Sequence, residues 1–173
     1  MDNVDLNVLR QVAQWTQEGR PVALVTITRT WGSAPRPPGS VVAIRGDGLV
    51  AGSVSGGCIE DDLIARYTRP DAADAIGPTG APQFVKYGVS ADEAHRFGLP
   101  CGGNLRLVQE PLSDIAWVDD ILARTARHEL VARRLDLDTG VVSIEPAARG
   151  EAFVFDGRQL RALFGPRWRL LII

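Results

Sequence analysis

Leu49-Val50-Ala51-Gly52-Ser53-Val54-Ser55-Gly56-Gly57-Cys58-Ile59-Glu60-Asp61-Asp62-Leu63-Ile64-Ala65-Arg66-Tyr67 runs from a short apolar strand through a turn of glycine and serine into a helix. Ile59, Leu63, Ile64 and Tyr67 recur at helical spacing and give that helix one apolar face. Gly56 and Gly57 permit positive φ and a close approach of backbone to ligand, and a helix beginning there leaves its first N–H groups available to an anion. Cys58 falls at the first helical position, where the positive end of the dipole favours thiolate over thiol. A purely structural reading stands beside this one. Glycine and serine shape many strand-to-helix turns, a cysteine is often a small buried hydrophobe, and Glu60, Asp61 and Asp62 oppose a bound anion.

Working outward, Val41-Val42-Ala43-Ile44 and Leu49-Val50-Ala51 flank Arg45-Gly46-Asp47-Gly48 and predict a tight hairpin. Its far ends are Gly39 and Gly52. The hairpin therefore returns the serine–glycine–cysteine turn to the edge of the sheet where Trp31-Gly32-Ser33-Ala34-Pro35-Arg36-Pro37-Pro38-Gly39 forms a proline-stiffened loop carrying Ser33 and Arg36. Val22 to Thr28 is apolar without alternation, as in a strand buried on both faces. An amphipathic helix precedes it, with Val4, Val8, Val12 and Trp15 on the inner face, Asn3 or Asp5 as the cap and Gly19 as the stop.

Downstream, residues 69–82 read as a loop and Phe84 to Tyr87 as a strand. A helical or irregular piece spans residues 92–96, and Cys101-Gly102-Gly103 is a second glycine–cysteine turn before the strand Leu105 to Gln109. Ser113 or Asp114 caps a helix whose predicted inner face is Ile115, Val118, Leu122 and Ala126. Residues 131–138 and 141–144 make a hairpin about Thr139-Gly140. A strand over residues 152–155 ends at Asp156-Gly157, and Arg169 to Ile173 is strand-like. The alternation of helices and strands predicts an α/β fold in which helices cover a mixed β-sheet. The apolar terminal strand is expected to pack on this sheet or to pair with a second copy in a homodimer.

A chain of 173 residues with 45% hydrophobic and 23% charged residues suits an ordinary globular domain with a real core. Net charge is −2 and no basic run occurs, so nothing here is built for nucleic acid. The sequence shows neither a signal-peptide pattern nor an apolar run of membrane-spanning length. Two cysteines make no disulfide framework, and the expected setting is the cytoplasm. With two histidines in no recognisable spacing, they make no zinc ligand set either.

Three loops thus bear the chemistry: Ser33/Arg36, the Gly52-Ser53-Val54-Ser55-Gly56-Gly57-Cys58 turn, and Cys101/Gly102/Gly103. An arginine on a rigid loop, small hydroxyls and a helix N-terminus suit a phosphate or other oxyanion, and the thiols suit a soft metal, a sulfur-bearing ligand or sulfur transfer. In motif order, Gly32-Ser33-Ala34-Pro35-Arg36, Gly39, Gly52 to Glu60 and Cys101-Gly102-Gly103 resemble the N-terminal domain of the XdhC/CoxI family, accessory proteins of xanthine dehydrogenase and related molybdenum hydroxylases. The likeness covers most of residues 8–112.

The resemblance implies a protein that binds molybdenum cofactor (molybdopterin) at those loops, protects it while its sulfido ligand is installed, and delivers it to a molybdenum hydroxylase apo-enzyme. A cysteine desulfurase is implied as a further partner. Two departures are visible: Ser40, Val41 and Val42 follow Gly39 where relatives often carry a basic residue or Met, and relatives continue into a Rossmann-like domain whose first strand would finish near Ile173. On that comparison residues 1–165 are the family's N-terminal domain and 166–173 the linker and first strand of the next. Two other readings stay open: a thiol-dependent sulfurtransferase or redox enzyme using Cys58 and Cys101, and an interaction domain whose glycine turns only shape the fold.

Overall fold

The computed structural model describes residues 3–30, 36–55, 58–69, 80–87 and 105–166. The element order is α1 (Asn3–Gln17), β1 (Val22–Thr30), β2 (Val41–Arg45), β3 (Val50–Gly52), α2 (Cys58–Thr68), β4 (Gln83–Tyr87), β5 (Leu105–Leu112), α3 (Ala116–Ala126), β6 (Val131–Asp136), β7 (Val142–Pro146), β8 (Val154–Phe155) and β9 (Gln159–Phe164). Sheet A has the order β3-β2-β1-β5-β4, and sheet B the order β7-β6-β9-β8. The α/β class stands. Every pairing among the described strands is antiparallel, so the one mixed sheet expected from the sequence is corrected to two antiparallel ones. Most neighbours meet through hairpins, and β5 enters beside β1 in the opposite direction.

β1 lies at the centre of sheet A because both of its faces are apolar. Ala23, Val25 and Ile27 pack with Ile59, Leu63 and Tyr67 of α2, while Val22 and Leu24 join the core formed with α1, α3 and sheet B. The helices α1 and α2 therefore cover opposite faces of one sheet. α1 ends in a Schellman arrangement: Gly19 has φ +71°, its N–H donates to Thr16 O (2.9 Å), and Arg20 N–H reaches back to Trp15 O (2.9 Å). Its stripe is rotated slightly from the expected one. Leu6, Val8, Leu9, Val12 and Trp15 are buried, whereas Val4 is 37% exposed.

The second core layer departs further from expectation. On α3 the buried residues are Trp117, Val118, Ile121 and Thr125, with Ile115 and Leu122 packed partly against them and Ala126 exposed. The N-cap of α3 is Ile115, with no side-chain capping bond, which corrects the expected cap at Ser113 or Asp114; Asp114, one residue earlier, accepts through Oδ1 from Ala116 N–H at 2.9 Å. Strand β9, unforeseen in the sequence, completes sheet B and turns Leu160, Ala162 and Phe164 into the core. A buried ion pair crosses between the sheets: Arg133 Nη2 of β6 donates to Glu110 Oε2 of β5 at 2.5 Å, and the Arg133 guanidinium stands 4.0 Å over the ring centroid of Trp117. Among the described residues no helix is long and apolar enough to cross a membrane. The predicted strand over residues 169–173 and the piece at 92–96 lie outside the described residues.

Candidate functional site

The proline-stiffened loop is fixed at its exit by the central strand. Ile27 N–H donates to Ser40 O (2.9 Å) and Gly39 N–H to Ile27 O (2.8 Å), so residues 39 and 40 are stitched to β1 before the chain enters β2. Gly39 has φ +90°, and a Cβ there would come within 3.0 Å of Phe153 Cδ2, so the loop lies directly against the chain leading into β8. Arg36 is half-buried at this junction. Its Nη2 donates to Asp5 Oδ1 at 3.0 Å, and the same carboxylate oxygen accepts from the N–H of Val41 at 3.2 Å. One buried carboxylate at the start of α1 thus holds both the arginine and the first residue of β2.

Beside this contact lies a cavity of about 540 Å³, lined on one side by Asp5, Arg36 and Gly39 and on the other by Glu151, Phe153 and Leu163. That size suits a small organic ligand. The Glu151 charge is compensated first by the N–H of Ala148 (2.9 Å) and then by Arg161, which hold its carboxyl below the ordinary range. Arg36 is consequently a fixed cation at the rim of an open cleft, and its planar fork suits a phosphate or carboxylate.

The turn between β3 and α2 has another electrostatic character. Val54 N–H (2.8 Å), Ser55 N–H (3.0 Å) and Ser53 Oγ (2.7 Å) all donate to Glu60 Oε1, and the Ser55 hydroxyl donates to Oε2. Ser55 Oγ in turn accepts from Ile59 N–H at 3.2 Å, in a lengthened form of the capping box. Burial works against the Glu60 charge, but the Ser55 and Ser53 hydroxyls and the two N–H groups outweigh it and bring its carboxyl down to about 2. These donors, read in the sequence as open to an oxyanion, already hold one from within the chain. Gly52 is pinned at φ +88°, where a Cβ would come within 2.6 Å of both Val41 O and Val8 Cγ2. Its lack of a side chain therefore serves the packing of β3 against β2 and α1.

Of the other sequence-predicted site residues, Cys58 opens α2. Its side chain, together with Ser33, Gly56, Gly57, Cys101, Gly102 and Gly103, lies outside the described residues. The sequence reading places Arg36 and the Gly52 to Cys58 turn at one edge of the sheet. The described residues that line the cavity at Arg36 come from its own loop, from Asp5, from the chain leading into β8 and from Leu163 of β9. Asp5, Glu151 and Phe153 were assigned no site role, and Glu60 only an unfavourable one. Two signals were present: Asp5 is a charge one turn before the apolar Val8 and Leu9, and Ser55 precedes Glu60 at nearly capping-box spacing.

The sequence profile of the XdhC and CoxI family matches residues 15–88. Residues 15–88 belong to the XdhC and CoxI family. This XdhC/CoxI segment carries Arg36, Gly39 and the whole turn from Gly52 to Glu60, but not Asp5 or the Glu151, Phe153 and Leu163 wall of the cavity. The chain is 30% identical over 129 residues to the molybdenum cofactor insertion chaperone PaoD of Escherichia coli K12, an alignment covering 75% of this chain and 38% of PaoD. Its fold is that of a Bacillus halodurans crystal structure described as a xanthine dehydrogenase, with a TM-score of 0.66 at 18% identity over 94% of this chain and 53% of the other. The chain thus spans well under half the length of PaoD and about half of the Bacillus protein.

Proposed function

We propose that this chain binds molybdenum cofactor and assists its insertion into a molybdenum hydroxylase of the xanthine dehydrogenase type. The observation that carries the reading is Arg36. It is a cation of the XdhC/CoxI segment, locked by Asp5 at the rim of a cavity of about 540 Å³. The residues present fit the phosphate end of such a cofactor: Arg36 offers a charged, pre-oriented donor, and Gly39 and Phe153 line the cleft beside it. When bound, the cofactor supplies the molybdenum centre for which the target enzyme is built. This chain supplies orientation and shelter from water. Its cysteine-bearing turns, by resemblance, face the sulfur-bearing end of the ligand while the sulfido group is installed, with a cysteine desulfurase as the sulfur donor.

The test is incubation of the purified chain with molybdenum cofactor, followed by gel filtration and assay of pterin and molybdenum in the protein peak. Co-elution of both with the parent protein, and their loss from Arg36→Ala, is the expected result. Absence of both from the parent peak sinks the proposal. Cofactor retained without turnover of a sulfur donor separates a carrier from a thiol-dependent enzyme.

A further inference from the structure

The donors of the β3–α2 turn converge on one carboxylate of the chain itself, and that convergence has a functional reading. We propose that Glu60 is the positioning residue of the stretch that leads into the glycine–cysteine turn: clamped by Ser53, Val54 and Ser55, its carboxylate sets the backbone path from Gly52 to Ser55 and ties it to the start of α2. This rests on the cofactor-holding function proposed above and adds a division of labour within the site.

The described part of the path, Gly52 to Ser55, is held at several points. Gly52 is fixed against Val41 and Val8 at one end, and α2 starts at Cys58 at the other. Between them, two consecutive backbone N–H groups and a hydroxyl meet the same oxygen at 2.7 to 3.0 Å. Val54 is fully buried and Glu60 is 8% exposed, so water has little room to replace the carboxylate if it is removed. A glutamine at position 60 keeps one acceptor oxygen but turns an NH₂ toward the Ser55 hydroxyl, which would have to reverse its own bond to Glu60. Alanine leaves the inward-pointing donors unanswered.

A second consequence concerns what the turn recognises. An incoming phosphate at Ser53 and Ser55 would meet donors already engaged and a negative charge already in place. The anionic end of a ligand is therefore assigned to Arg36 on the α1 face of sheet A. The turn contributes shape rather than hydroxyl donors.

Chemical rescue tests this. In Glu60→Ala the melting temperature should fall by roughly 5–10 °C. Sodium formate, a carboxylate small enough for the vacated place, should restore much of that loss where sodium chloride at equal ionic strength does not, and the parent should respond alike to both salts. Glu60→Gln should lie between the parent and Glu60→Ala and show a weaker formate response. Pterin retained after gel filtration should follow the same order, low for Glu60→Ala in chloride and recovered in formate.

A Glu60→Ala protein as stable as the parent, or one that prefers formate no more than chloride, overturns the proposal. Recovery of melting temperature without recovery of pterin reduces Glu60 to a structural role and also overturns it. If Glu60→Ala does not fold, Glu60→Gln with and without formate decides by the same two readouts. Should the parent itself retain no pterin, the cofactor reading fails, while the melting data still decide whether the carboxylate organises the turn.

Discussion

Arg36 and Asp5, 31 residues apart in sequence, meet at 3.0 Å, and through that one contact the proline-stiffened loop is bolted to the first turn of α1. The arginine is thus both a candidate ligand donor and a structural member, and its substitution should act on both roles. From the sequence alone, Arg36→Ala is expected to leave the melting temperature nearly unchanged. The Asp5 contact argues for a different outcome. Arg36→Ala should cost about 1–3 kcal/mol, because it strands a largely buried carboxylate. Urea unfolding of Arg36→Ala beside Arg36→Ala/Asp5→Asn checks this: the double variant should recover part of the loss, and strict additivity would show that the pair is not coupled.

The buried Arg133–Glu110 pair should be asymmetric toward mutation. Arg133→Met leaves a carboxylate buried between two sheets and should cost about 3–5 kcal/mol, whereas Arg133→Met/Glu110→Leu should regain most of it. Neither Arg133 Nε nor Glu110 Oε1 has a hydrogen-bond partner among the described residues, so the pair itself is incompletely satisfied. Denaturant unfolding of the two single variants and the double variant closes the cycle.

Glycine positions should separate by what surrounds them. Gly52→Ala must push against Val41 O and Val8 at positive φ and should lose about 2–4 kcal/mol. Gly150→Ala, at φ +89° with nothing within 4 Å of the added carbon, should lose only about 1 kcal/mol. Similar losses at both would mean that the contacts around Gly52 relax freely.

Acid should act through Glu60. Its carboxyl is lowered to about 2 in the folded protein against an ordinary value of 4.5, so it binds its proton more readily when unfolded. The stability it confers is fully present above pH 4.5 and drains away as pH falls from there through about 2. One such group contributes at most about 1.4 kcal/mol per pH unit in that window. Unfolding free energies measured between pH 2 and pH 6 should show a shallower fall for Glu60→Gln than for the parent, and equal slopes would deny Glu60 this role.

How much of this was legible in the sequence depends on the range of the interaction. β1, the 41–51 hairpin, α1 and α2 follow from local pattern, and each formed where its residues predicted. β9 was missed because Arg161 and the flanking Gln159 break up its apolar run, although Leu160, Ala162 and Phe164 alternate cleanly once the strand is known. The Arg36–Asp5 and Glu110–Arg133 pairs join residues brought together only by sheet order, which no local spacing encodes. Ser53 and Ser55 were recognised as donors, but their acceptor was sought outside the chain when it stood in the first turn of α2.

The central strand receives its two neighbours at very different moments. β2 arrives after a short loop, while β5 is delivered from far along the chain: Thr28 of β1 and Arg106 of β5, which share a hydrogen bond, are 78 residues apart. Closing so long a span weakens the native state only logarithmically, but it slows the search for the fold. On the ribosome, the apolar flank of β1 is complete and unpaired until everything up to Leu112 has emerged. The hazard of this architecture therefore lies in time rather than in equilibrium: the nascent or refolding chain, more than the finished protein, exposes an edge to which another chain can add.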